Sequence, residues 1–145
     1  METLDELIRD IEGAANEFNA KVCSVEALIH KVERRLADAG VGVKTCEVLT
    51  GKIPFGSSAR AVSAICFRKL DSYGWCIAYR QGRHHATAAP YKRLVDATRL
   101  EKIRCSVFIP DLLREIKSEV LSMHERVSQI TVPELDSVWP KNTTD

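Results

Sequence analysis

Five cysteines and four histidines carry most of the chemistry available to this chain, and their spacing tests three kinds of site. A zinc site is usually built from close pairs such as Cys-x-x-Cys, and Cys23, Cys46, Cys66, Cys76 and Cys105 contain no such pair. Cys66 and Cys76 can face each other across a hairpin near His84 or His85. Neighbours in a strand point to opposite faces, however, so His84 and His85 cannot both join them. A Cys–His nucleophile needs a thiol of lowered pKa, a base and an orienting residue, and no such spacing stands out. Gly51-Lys52 lacks the upstream glycine of a phosphate loop. Gly56-Ser57-Ser58 lacks the strand–turn–helix setting of a nucleophilic serine. The thiols therefore read as small apolar packing residues, and no catalytic residue, metal site or cofactor is expected.

Charge is the second chemical signal, and it is unevenly placed. Residues 1–40 hold nine acids and five bases, a net −4, and residues 108–145 seven acids and four bases, a net −3. Residues 41–107 hold twelve bases and four acids, a net +8, although the whole chain carries only +1. A basic middle segment points to an anionic ligand or nucleic acid, with Arg80, Arg83, His84, His85, Lys92 and Arg93 as candidate contacts. Tyr73, Tyr79 and Tyr91 would add stacking surfaces or hydroxyl donors. The competing reading is that the basic middle complements the acidic helices, within one chain or across a dimer.

These residues must be positioned by the elements around them. Leu4, Ile8, Ile11, Ala15, Phe18, Val22, Val25, Ile29, Val32 and Leu36 recur at alternating spacings of four and three. That is a heptad stripe along one helix of some 35 residues, roughly 50 Å long. Thr3 and Glu6 form a capping box at its start, and Gly40 and Gly42 stop it. Strands are expected over 41–49, 61–69 and 75–80, with a weaker fourth strand or a loop over 83–92. In the second, Ile65 and Phe67 share one face and Cys66 and Arg68 the other. In the third, Trp75, Ile77 and Tyr79 share a face opposite Cys76, Ala78 and Arg80. Leu70-Asp71-Ser72-Tyr73-Gly74 supplies the hairpin loop between them. A second capping box, Thr98 with Glu101, begins a helix near Arg99 that Pro110 divides. Ile109, Leu113, Ile116, Val120, Met123, Val127 and Ile130 make a second stripe.

The expected fold is α+β: a long N-terminal helix, a three- to four-stranded antiparallel meander, then a C-terminal helix or helix pair broken near Pro110. Residues 1–132 form one domain and 133–145 a loose tail. The helices are expected to pack on one sheet face and on each other. Phe67, Trp75 and Tyr79 would line any ligand pocket between sheet and helices, although such rings at this spacing are more often core.

The run Ala64-Ile65-Cys66-Phe67-Arg68-Lys69 with Trp75-Cys76-Ile77, followed by Thr98-Arg99-Leu100-Glu101-Lys102-Ile103-Arg104 and Ile109-Pro110-Asp111-Leu112-Leu113, resembles a family of small uncharacterised bacterial proteins. In these a long helix, a hairpin and a proline-interrupted helix follow one another. The resemblance spans residues 61–117. It implies a fold and a bacterial or phage-like source, and no activity.

An acidic N-terminus without an uninterrupted apolar run argues against a secretion signal, and no stretch is apolar enough for a membrane span. An odd number of widely spaced cysteines then suits a reducing cytoplasm. The leading expectation is a non-enzymatic interaction or adaptor module, homodimeric through its first helix and acting on an unknown protein partner. A nucleic-acid or anion binder using the basic 80–104 region is the alternative, and a small-ligand or enzymatic protein the third.

Overall fold

The computed structural model describes residues 1–52, 61–83 and 90–134. Helix α1 runs over Leu4–Asp38, as the stripe predicts. Its capping box is complete: the Glu6 backbone N–H donates to Thr3 Oγ1 at 3.2 Å, and the Thr3 N–H donates to Glu6 Oε2 at 3.0 Å. At the other end Gly40 takes φ of 70°. The Val41 N–H then reaches the Leu36 carbonyl and the Gly40 N–H the Ala37 carbonyl, both at 2.9 Å. These two bonds satisfy carbonyls that the last turn would otherwise leave open.

Four strands follow in an antiparallel sheet ordered as in the sequence: β1 Val48–Lys52, β2 Ala61–Leu70, β3 Gly74–Arg83 and β4 Lys92–Arg93. The first strand starts later than the 41–49 reading. Thr45 lies beside β2 but is not part of the ladder on both sides. Its backbone N–H donates to the Phe67 carbonyl at 3.0 Å, while the Phe67 N–H donates to the Thr45 hydroxyl at 2.9 Å. A side chain thus replaces the backbone acceptor, and regular pairing begins only at Val48. A register shift between Leu49 and Gly51 leaves Thr50 as an extra residue. Thr50 is buried, and its hydroxyl accepts from the Cys105 thiol at 3.7 Å. The β2–β3 hairpin turns through Asp71, Ser72 and Tyr73, with Gly74 at φ of 76°.

After β4 a 3₁₀ turn, Leu94–Asp96, leads into α2 (Arg99–Ser106) and α3 (Ile109–Ser128). Pro110 sits in the first turn of α3, where its missing N–H costs nothing, so the break falls before the proline. The second capping box is half made. Thr98 accepts from the Glu101 N–H at 3.2 Å, whereas the Glu101 carboxylate serves Tyr79 and Arg104 instead.

The core lies between one sheet face and the helices. Ile65 and Phe67 meet Ile77 and Tyr79, under Val25 and Ile29 of α1, Leu94 of the 3₁₀ turn, Cys105 of α2, and Ile109, Leu112 and Ile116 of α3. The division of faces in β2 and β3 follows the alternation. Two expectations are corrected. Helix packs on helix, but the main pairing is not between the two long ones: α1 packs chiefly on α2, with β3 and the 3₁₀ turn, and α3 packs on β2. The break before Pro110 makes α2, not α3, the chief helical neighbour of α1. In α3 the buried position is Leu112 rather than Leu113: the residues three and seven on from Ile109 face the core, and Leu113 falls at its rim. The expected loop at Gly56-Ser57-Ser58 and the tail over 135–145 lie outside the described residues.

Candidate functional site

Two surfaces remain when the core is accounted for. The first is the projecting half of α1. Ile29 is fully buried on the stripe, yet Leu4, Ile8 and Ile11 on that same stripe are 76%, 51% and 67% exposed. Burial starts only at Val22. Helix α3 behaves similarly, since Leu121, Met123 and Val127 are exposed beyond the buried Ile116. A shallow open depression along α1, lined by Ala14, Glu17, Phe18, Ala20, Lys21 and Ser24, lies beside this exposed half.

The second surface is the sheet face turned away from the helices. Ala64 and Cys66 of β2 and Cys76 and Ala78 of β3 share it, and all four are buried. Aromatic and cationic side chains lie across them. The Arg68 and Arg80 guanidiniums stand 4.1 Å and 5.3 Å from the Tyr91 ring centre. Glu47 closes this group, accepting from Arg80 through Nε at 2.7 Å and the terminal nitrogen at 2.8 Å, and from the Tyr91 hydroxyl. Toward the hairpin end, the Arg93 guanidinium lies 4.9 Å from the Tyr73 ring centre. Three Arg–Tyr stacks therefore occupy one face. Their planar groups shield the small residues beneath while keeping charge at the surface.

The electrostatics follow from this cover. Burial pushes the Cys66 thiol up, opposed by the nearby Arg68 charge. Burial also pushes Cys76 up to about 11, helped by the Glu33 carboxylate. Burial raises the Tyr91 hydroxyl to about 12, reinforced by its bond to Glu47. Thiols held protonated in this way are poor nucleophiles. Glu33, from the last turns of α1, is also raised by burial, and the Arg93 and His30 charges oppose the shift. Three buried polar atoms find no hydrogen-bond partner among the described residues: Glu33 Oε1, Arg68 Nε and Arg93 Nε.

Of the basic candidates, Arg80 and Arg93 reach this face. Lys92 pairs with Tyr79 across β3–β4, and its ammonium lies 5.4 Å from the Tyr79 ring centre. Arg83 ends β3 opposite Ala61, and His84 and His85 lie outside the described residues. Arg68 and Glu47 were missed as site residues. The alternation that grouped Cys66 with Arg68 and Cys76 with Arg80 already put both arginines on one face, and that was the available signal. The three rings named for a pocket sit in the core. Phe67 and Tyr79 are fully buried, and Trp75 stacks on Phe67 at 5.6 Å. The Tyr79 hydroxyl donates to Glu101 at 3.1 Å. Among the described residues no cluster of His, Cys, Asp and Glu could hold a metal ion, and no helix is long and apolar enough to cross a membrane.

Comparison with known proteins finds no matching family, no matching curated protein and no matching solved structure.

Proposed function

We propose that this chain is a non-enzymatic interaction module that self-associates through the first five turns of α1, with a second copy of the chain as the occupant. The observation carrying this reading is the change along one stripe, from exposed Leu4, Ile8 and Ile11 to buried Val22, Val25 and Ile29. An apolar stripe of heptad period left in water favours a partner helix. Charge favours a parallel copy. In a parallel pair Leu7 and Ala14 lie beside Glu12 and Asn19 of the partner helix, with no like-charge contact. An antiparallel pair would set the Asp5 and Glu12 carboxylates of the two helices against each other. The stripe is short, and association carries a cost of several kcal/mol, so a micromolar dimer is expected. Five free thiols suit a reducing, cytoplasmic setting.

Sedimentation across the micromolar range tests this. A monomer–dimer equilibrium is expected, abolished by Ile8→Asp with Ile11→Asp. A Leu4→Cys variant should form an interchain disulfide, since residue 4 meets its own copy only in the parallel arrangement. A strict monomer throughout that range would overturn the reading.

A further inference from the structure

Arg68 and Arg93 differ from Arg80 in one respect. Glu47 takes the Arg80 guanidinium, whereas neither Arg68 nor Arg93 makes an ion pair among the described residues. Both have a buried Nε without an acceptor. A buried donor left unmet carries an uncompensated desolvation cost. Two such donors on one face leave both guanidiniums with unused hydrogen-bonding capacity. The ladder puts them together: Arg68 pairs with Cys76 and Arg93 with Ala78, so the two stand on either side of β3, with strands about 10 Å apart. Each guanidinium is braced against a tyrosine ring, which fixes its plane and reduces the entropy lost on binding. Glu33 feels the charge of Arg93 but makes no ion pair with it, and its own Oε1 is unpartnered.

We infer that the outer sheet face is a phosphate-binding surface for single-stranded nucleic acid, with Arg68 and Arg93 contacting the backbone and Tyr73 offering a ring to a base. A strand is favoured over other phosphate carriers for two reasons. Tyr73 is 58% exposed beside Arg93, and an exposed aromatic residue next to a guanidinium is a stacking platform that a bare phosphate does not use. The two guanidiniums, on either side of β3, also span more than a single anion site.

The test is fluorescence anisotropy with a labelled single-stranded oligothymidine at low salt. Wild-type protein should bind, with affinity falling as salt rises. Arg68→Ala with Arg93→Ala should weaken binding more than tenfold and flatten the salt slope by about 1.4, two contacts at about 0.7 each. Arg68→Lys with Arg93→Lys keeps the charge and removes the Nε donors. It should weaken binding less, and it serves if the alanine pair does not fold. Tyr73→Ser, on an exposed turn, should cost about tenfold through lost stacking. Three results would overturn the inference: no binding at low salt, folded variants that bind like wild type, or tighter binding to anionic phospholipid vesicles than to the oligonucleotide.

Discussion

Single side chains here are governed mainly by what burial does to charge. Lys102 is buried on α2, and its ammonium donates to Glu26 Oε1 at 2.7 Å. That bond holds the Glu26 carboxyl below its ordinary value of 4.5. A lowered acid contributes stability above its unfolded pKa, so this contribution is present above pH 4.5 and is lost as pH falls through the folded value. Glu26→Gln should therefore cost about 0.5–1 kcal/mol at neutral pH in denaturant unfolding: the buried ammonium loses its carboxylate, but Glu26 is partly exposed and solvent screens the pair. Lys102→Met, which removes the charge as well, should cost less. The alkaline side runs the other way. Tyr79 and Tyr91 are raised from 10.0 to about 12, and Cys76 and Cys105 from 9.0 to about 11. Burial is the main cause for all four. They favour the folded state fully below pH 9, and that advantage is lost as pH rises from 9 through 12. Circular dichroism against pH should show unfolding in that window. The same burial predicts thiol reactivity. Cys23 and Cys46 are exposed and should react quickly with a thiol reagent, whereas Cys66, Cys76 and Cys105 should react only on unfolding.

The elements are set by caps, glycines and one proline. Gly74 takes φ of 76° to close the β2–β3 hairpin, and a Cβ there would meet nothing within 4 Å. Gly74→Ala should still cost about 1–2 kcal/mol, since the strain lies in the backbone and not in a clash. Gly13 offers the contrast. It is helical, with open space around its Cβ position, so Gly13→Ala should stabilise α1 by about 1 kcal/mol. Far-UV circular dichroism during denaturant titration reads both. Most of this level was legible in the chain. Thr3 and Glu6, the stripe through Leu36, Gly40 and Pro110 each act within a few residues of themselves. The start of β1 was not legible, because it depends on the Thr45 hydroxyl meeting Phe67 across a separation of 22 residues. The half-made box at Thr98 failed for a similar reason: Tyr79, distant in sequence, claims the Glu101 carboxylate.

For the whole molecule, the central feature is that α1 is longer than the domain it covers. No residue of 1–21 is buried. Deleting residues 1–17 should leave the denaturation midpoint of the domain nearly unchanged while abolishing self-association, a separation that calorimetry and sedimentation together would register. The α+β layering also gives the sheet two unlike faces. One is filled by Phe67, Ile77 and the helices, and the other is covered by guanidiniums stacked on tyrosines.

Local and periodic information was enough to determine the element types, the order of helix, meander and divided helix, the faces of β2 and β3, and the basic character of the middle segment. These depend on backbone propensity, capping and side-chain period, all properties of neighbouring residues. The tertiary structure alone decided which part of a uniform stripe is covered, that α1 packs chiefly on α2, and that Glu47 pairs with Arg80 while Arg68 and Arg93 make no ion pair among the described residues. Each of these outcomes turns on groups far apart in the chain meeting within a few ångströms, where burial and charge pairing depend on distance in space and not on spacing in sequence.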